Sequence, residues 1–352
     1  MEGHAGRTAR GGTDRALQAG QGDQEGARRQ QGARQAAGQV RSQQDRSGAQ
    51  AGRGAPQVRQ ETRRHLRRRA GGEEGREVAA HASVERVLVF RRGGLGDTLL
   101  TVPLLRALRR RDPGTVLHLA GVREFCDVPC AYGTVEVARS SEDLQLWRGE
   151  RARAALAGYG LVVGDDPAVA DRAFDPRQVR PGVPFALQLA RQLDLEPHWP
   201  GDAQLLAPRA RGALSGGGPV VLAPGSGGPA KCWPREHWLA LAARLVARGS
   251  HIEVVVGPVE VEREDPRAWP WPGPVRFVAG LSPVRLAKQL ESAAWFVGND
   301  SGPTHLAAML GVPTTAVFVA TDPEVWAPVG PHVAVVGGVG CLPTVDEVAA
   351  TA

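Results

Sequence analysis

Three short stretches of the chain gather residue types that can do chemistry. Arg92-Gly93-Gly94-Leu95-Gly96-Asp97-Thr98 sets a carboxylate behind glycines. The run from Ala223 to Pro234 (Ala-Pro-Gly-Ser-Gly-Gly-Pro-Ala-Lys-Cys-Trp-Pro) joins Gly225 and Ser226 to Lys231. Gly298-Asn299-Asp300-Ser301-Gly302-Pro303 brings an amide, an acid and a hydroxyl together, with His305 two residues further on. Small residues let backbone N–H groups approach an anion, and a helix behind such a loop turns its positive end toward it. A compact ammonium suits a phosphate oxygen at close quarters. A carboxylate at a helix start keeps its charged form and is available to take a proton. Each residue also has a plain structural use. Asp97, Asp300 or Ser301 is read as a helix cap, His305 as a hydrogen-bonding partner, and Lys231 as a solvated lysine like Lys288.

Residue usage favours chemistry for two of them. Asn299 is the only asparagine in 352 residues, and Lys231 and Lys288 are the only lysines beside 41 arginines. A chain that so consistently takes Arg over Lys and avoids Asn keeps these residues where chemistry asks for them. The first loop is neither a dinucleotide fingerprint, since Leu99 stands at the third glycine position, nor a Walker A loop, since Gly-Lys-Ser/Thr is missing. A nicotinamide dehydrogenase is therefore disfavoured.

The elements that carry these loops read as alternating strands and helices. Strands are expected at 86–90, 116–120, 161–164, 220–223, 251–256, 295–298 and 314–319. Helices are expected at 98–111, 142–157, 184–193, from Pro234 to a cap at Gly249, at 282–292 and at 303–310. Short connections between them imply parallel sheets covered on both faces. Ligands of such sheets bind beyond the carboxyl ends of the strands, where all three loops fall. The composition of 206–219 is that of a linker. The expected organisation is a first Rossmann-like domain at 84–212 and a second at 213–352.

Residues 1–83 stand apart. They hold 16 Arg against 9 Asp and Glu, and no Phe, Tyr or Trp, whereas the rest of the chain holds 27 basic and 28 acidic residues. Such a segment cannot bury enough apolar surface to offset its ordering entropy, so disorder is expected. It lacks the apolar core of a secretory signal. We expect the native chain to start at or near Val84, a codon position that can serve as an alternative start. Nucleic-acid binding would rest on this arm alone and is not expected. No apolar run reaches the roughly 20 residues that span a bilayer. The four cysteines lack zinc or redox spacing and are expected as reduced thiols in the cytoplasm.

Taken together, VLVFRRGGLGDTLLTVPLLRALRR, APGSGGPAKCWPREHWLALAARLVARG and FVGNDSGPTHLAAMLGVPTTAVF with TDPEVWAPVG resemble the family 9 glycosyltransferases, the ADP-heptose:lipopolysaccharide heptosyltransferases. The likeness covers about 84–120 and 217–336. It implies a GT-B fold, two Rossmann-like domains whose parallel sheets face a central cleft, with donor in the second domain and acceptor at the first. It further implies transfer with inversion at the anomeric carbon, no cofactor and no metal. Asp97 matches the proposed base. Lys231 matches the lysine that binds donor phosphate. Asp300, Ser301 and Gly302 match the loop that meets sugar and diphosphate, and His305 its histidine. Ser226 falls near a phosphate-contacting hydroxyl. Glu260 falls near the acid that holds the donor ribose, with Glu262 a rival. Gly94, Gly96, Gly225 and Asn299 support these loops. A nucleotide-sugar donor and a glycan or glycolipid acceptor are the implied partners, and the enzyme is expected as a cytoplasmic monomer with room for peripheral association at the inner membrane. Two other readings remain open: a GT-B enzyme using a UDP- or GDP-sugar, and a non-catalytic nucleotide-sugar binder. The stretch 121–212 shows no motif of this family. The C-terminal TVDEVAATA is short for a helix that crosses back to the first domain, which would loosen domain closure.

Overall fold

The computed structural model describes residues 85–205 and 217–352. The expectations for 1–83 and for a start at Val84, and most of the 206–219 linker, lie outside these residues.

The sheets are built from short apolar runs. Strand β1 (Arg86–Phe90, RVLVF) is buried along all but its first residue, as a strand covered on both faces must be. Beside it lie β2 (Val116–Gly121) and β4 (Leu161–Gly164), with β3 (Val137–Ser140) and the two-residue β5 (Arg172–Ala173) at the edges. The order is β3-β2-β1-β4-β5, every pairing parallel. The second sheet has β6 (Val220–Ala223), β7 (Ile252–Val256), β8 (Val275–Ala279), β9 (Trp295–Asn299), β10 (Thr314–Phe318) and β11 (Val333–Gly337). Its order is β11-β10-β9-β6-β7-β8, again all parallel. This is the α/β architecture of two parallel sheets expected from the alternation of elements.

Two expected helices come out differently. The run 98–111 is two helices, α1 (Leu95–Leu99) and α2 (Val102–Arg111). Pro103 lacks the N–H that would bond the Leu99 carbonyl, so one continuous helix cannot form. Thr101 closes the break by donating its hydroxyl to the Thr98 carbonyl at 2.6 Å. The run 142–157 is a 3-10 segment, Leu146–Leu156, broken at Gly149 with φ 57° and ψ −130°. Only Leu146, Ala152 and Leu156 of its apolar residues are well buried, a spacing that gives no helical stripe. Trp147 is left 69% exposed. Helix α3 (Arg123–Ala131) went unpredicted because Pro129 sits in its last turn. The remaining helices are α4 (Phe185–Arg191), α5 (Arg235–Ala247), α6 (Pro258–Arg263), α7 (Pro283–Leu290), α8 (Gly302–Met309), α9 (Pro323–Trp326) and α10 (Val345–Ala349).

The C-terminal helix α10 does not reach the first sheet. It packs on α5, with Val348 buried in that core and Arg244 bonded to Asp346. The two sheets are joined elsewhere. One apolar cluster takes Leu99, Val102 and Val128 from the first half and Val221, Phe296, Leu306 and Met309 from the second. Leu99 and Leu306 are fully buried there, so truncating either to Ala costs about 2–5 kcal/mol. Near α3 and α7 the Tyr132 hydroxyl donates to Glu291, and Lys288 pairs with Glu291 at 2.9 Å while lying 4.9 Å from the Tyr132 ring centre. Lys288, expected as a solvated lysine, is exposed yet part of this clasp. Finally, Trp326 of α9 lies 4.5 Å from the Phe185 ring centre, and Val325 is buried among first-half residues. The C-terminal helix is short, as expected, and these contacts join the two halves in its place.

Candidate functional site

The carboxyl ends of both sheets open on one cavity of about 490 Å³. Its walls include Gly94, Gly96 and Asp97 from the first half, and Gly225, Ser226, Lys231, Glu260, Asp300, Ser301, Gly302 and His305 from the second. Asn299 lies beneath it, fully buried.

The two halves touch through glycines. A Cβ added at Gly302 would lie 2.8 Å from Leu95 Cβ and 3.1 Å from the Gly96 nitrogen, and one at Gly96 would lie 3.3 Å from the His305 ring. The start of α8 therefore sits directly against α1, and any larger residue would force them apart. Gly302 opens α8, so its N–H belongs to the donors that a helix leaves without an internal partner.

Asn299 explains its own retention. Its Oδ1 accepts from the Trp233 N–H at 3.0 Å, and its Nδ2 donates to the Pro224 carbonyl at 2.6 Å. One short amide thus holds both ends of the 224–233 loop to the end of β9. An acid would lack the donor, and a Gln would be a methylene too long for this spacing. Thr304 adds a bond from its hydroxyl to the Asn299 carbonyl. Arg263 of α6 donates to the Ser226 and Gly227 carbonyls at 3.3 and 2.9 Å. Glu260 packs on Gly225, where a Cβ would lie 1.7 Å from Glu260 Oε1. Its Oε2 accepts from the Gly257 N–H at 2.7 Å. Glu262 is exposed and absent from the cavity wall, which Glu260 lines.

Asp300 is the charged centre of the second half. Its side chain is 6% exposed, and its Oδ2 accepts from Lys231 Nζ and from the Thr321 hydroxyl, each at 2.7 Å. His305 Nε2 stands 3.9 Å from Oδ1, an ion-pair distance beyond hydrogen-bond reach. Burial alone would raise this carboxyl, but His305 and Lys231 outweigh it and hold it at about 2. Ser226 lines the cavity, and its buried hydroxyl donates to the Asp300 carbonyl at 2.7 Å, so its proton ties the two loops together. Ser301 stands at the cap position of α8 but makes no side-chain cap bond, and its hydroxyl meets Thr304 at 3.1 Å. Helix α5 also departs from expectation. Lys231 extends from a 3-10 turn, Pro229–Lys231, and α5 contributes no residue to the cavity wall.

Asp97 is the third residue of α1, not its cap. Its Oδ2 accepts from the Gly94 N–H at 2.9 Å, and its side chain is 38% exposed on the cavity side. Gly93, at φ +130°, leaves the space, since a Cβ there would lie 2.5 Å from Asp97 Oδ2. Asp97 Oδ1 accepts from Arg91 Nη2 at 2.5 Å. Arg91, Asp165 and Thr321 escaped the sequence reading. Thr321 lies in the TDPEVW stretch that carried the resemblance, and Arg91 directly precedes the first loop. Asp165 gave no signal beyond its place at a strand end.

Val256, Val278, Leu281, Pro283 and Leu286 add an apolar portion to the cavity wall. The cavity wall thus combines Lys231, Glu260, Asp300 and the Asp97 carboxylate with an apolar group of side chains. Among the described residues no group of three or more His, Cys, Asp or Glu side chains offers a metal site. No helix among them is long and apolar enough to cross a membrane. All four cysteines are free, and burial pushes the Cys126 thiol up to about 12.

The family model described as glycosyltransferase family 9 (heptosyltransferase) matches residues 151–351. Lipopolysaccharide heptosyltransferase 1 of Pseudomonas aeruginosa is 26% identical over 286 residues, covering 68% of this chain and 79% of that protein. Lipopolysaccharide heptosyltransferase 2 of Salmonella typhimurium is 25% identical over 305 residues, covering 69% and 85%. Among solved structures, an Escherichia coli heptosyltransferase with ADP superposes with a TM-score of 0.56 at 21% identity, covering 75% of this chain and 98% of that one. At that identity the superposition speaks for the fold, which is GT-B.

Proposed function

The chain belongs to glycosyltransferase family 9, and from that premise we propose that it moves a heptose from ADP-heptose to a lipopolysaccharide acceptor, with inversion and without a metal ion. The observation that carries the reading is the meeting of three groups at one cavity: Lys231, the open start of α8, and Asp97 from the opposite half. The relatives named above support the donor and acceptor classes.

In this reading the donor lies on the 213–352 side. Its base occupies the apolar portion near Leu281 and Leu286, its ribose meets Glu260, and its diphosphate meets Lys231 and the Gly302 N–H. Asp300 and His305 face the sugar. The acceptor approaches from the 84–212 side, its hydroxyl toward Asp97. Asp97 takes the hydroxyl proton as the acceptor oxygen bonds the anomeric carbon from the face opposite the leaving group. The bond from that carbon to the phosphate oxygen breaks, and its electron pair leaves on ADP. Lys231 and the helix start stabilise the charge that develops there, the work a metal ion does elsewhere. Ser226 and Asn299 act by shaping the donor loops. The enzyme works in the cytoplasm, as a monomer, at the inner face of the membrane that carries its acceptor.

Titration of the purified chain with ADP, UDP and GDP in the presence of EDTA tests the donor. ADP binding without metal, weakened by Lys231→Ala, is the expected result. Preference for UDP or GDP would replace the sugar nucleotide, and absence of any binding would remove the catalytic roles.

A further inference from the structure

Arg91 has no part in the transfer as just described, yet it is 7% exposed and sits between two carboxylates. Its Nη2 donates to Asp97 Oδ1 at 2.5 Å, and its Nη1 donates to Asp165 Oδ2 at 3.0 Å and to the Arg92 carbonyl at 2.6 Å. Asp165, with its side chain 3% exposed, also accepts from the Arg92 N–H and from Arg92 Nε, each at 3.1 Å. Strand register dictates this meeting. Phe90 pairs with Gly164 at the ends of β1 and β4, so Arg91 and Asp165 are the first residues beyond two adjacent strand ends. Gly164 is part of the device, because a Cβ there would lie 2.1 Å from the Phe90 ring.

Such an arrangement is poorly explained as fold stability. The desolvation of buried ions offsets much of their attraction, and apolar replacements often serve a fold better. It is well explained as aim. Arg91 fixes one Asp97 oxygen and the Gly94 N–H fixes the other, which leaves the remaining lone pairs toward the cavity. Asp165 draws part of the same guanidinium charge, so Asp97 is held without facing a whole uncompensated cation. Neither Arg91 nor Asp165 lines the cavity, so any effect they have passes through Asp97.

We propose that Arg91, anchored by Asp165, is the positioning residue that aims the Asp97 carboxylate at the acceptor hydroxyl. The inference rests on the reading of Asp97 as the base. The test is steady-state kinetics of the full chain with ADP-heptose and heptose-less lipopolysaccharide, with thermal melting of every variant and Asp97→Asn as reference. Asp165→Asn keeps shape and an acceptor oxygen; it is expected to lower kcat about 100-fold with donor KM and melting temperature held, as misplacement of a reacting group does. Arg91→Met is expected to lose as much, and Arg91→Lys to recover part of it, since one ammonium cannot bridge both acids as the planar fork does. The double variant Arg91→Met with Asp165→Asn is expected to be no worse than Arg91→Met alone, because the two act as one unit. Unchanged kcat in Asp165→Asn overturns the proposal, as does a kcat loss that comes with unfolding or with an equal rise in donor KM. Turnover that survives Asp97→Asn overturns both this inference and the reading beneath it. A crystal structure of Arg91→Met is a second test, one that needs no turnover: Asp97 is expected to leave its present orientation, and an unmoved carboxylate overturns the proposal whatever the donor proves to be.

Discussion

Around the second sheet several cavity loops are bound to one another; around the first the bonds gather on a single pair of loops, those that follow β1 and β4. Asn299 holds Trp233 and Pro224, Ser226 holds Asp300, Arg263 holds the glycine loop, and Lys231 with Thr321 holds the Asp300 side chain. On the first sheet the loop after β1 is anchored through Arg91 and Arg92 to Asp165, while the segment 146–156 is an irregular 3-10 run with Trp147 facing solvent. An interlocked set of loops suits a ligand that never changes, since each bond fixes a donor or a charge in advance. A loosely covered face suits a partner that varies between relatives. The contrast teaches where sequence signal will be dense and where it will be thin.

The comparison can be broken or sharpened by experiment, and the largest effect is expected on the first side. Asp97→Ala should abolish transfer, a loss of about 10²–10⁴ in rate, while calorimetry shows ADP binding nearly intact. Equal loss of binding would move Asp97 to the donor side. Next in size is Asn299→Ala, which leaves a buried N–H and a buried carbonyl without partners. It should cost about 2–4 kcal/mol and lower the melting temperature on the order of 5–10 °C. A variant that melts like the parent would show that the interlock is not what holds the donor loops. Lys231→Ala should weaken ADP about 10–100-fold, the value of a charge-assisted bond.

A smaller effect is expected in acid. Burial works to raise the Asp300 carboxyl, but His305 and Lys231 outweigh it and hold the group at about 2. Stability from this pairing is complete above about pH 4 and is lost as pH falls through about 2, roughly 2 kcal/mol in all. Denaturant unfolding at pH 5, 3 and 2 should show this slope, and Asp300→Asn should flatten it. Smallest is Tyr132→Phe, which removes the hydroxyl bond to Glu291 between α3 and α7. It should cost about 1 kcal/mol in unfolding and leave ADP affinity unchanged.

The sequence revealed most where local pattern and chemistry coincide. The apolar runs at Val220–Ala223 and Trp295–Gly298, each followed by a polar glycine loop, are readable as strands feeding a site, and both lie at the centre of the second sheet. Rarity marked Asn299 and Lys231 before any contact was known. What stayed hidden depends on distance along the chain. The bond from Arg91 to Asp165 joins residues 74 apart and follows from register alone. The capture of the Ser226 proton by the Asp300 carbonyl likewise spans 74 residues, and a hydroxyl beside glycines looks the same whether it faces a phosphate or a neighbouring loop. The break before Pro103 was legible in principle, but a strong apolar stripe on both sides of it argued for one helix. The short strands β3 and β5 contain too few residues for period to register.

Helix α9 follows β10 in the chain, yet its Val325 and Trp326 lodge among Phe185 and its neighbours of the first half. This sets a rule for anyone who recombines such enzymes. A hybrid spliced between residues 205 and 217 would inherit its first half from one parent and the plug for that half's interior from the other. Exchanges of the first half must therefore carry residues 323–326 along with it, or match them to it, even though they lie more than a hundred residues downstream of the splice.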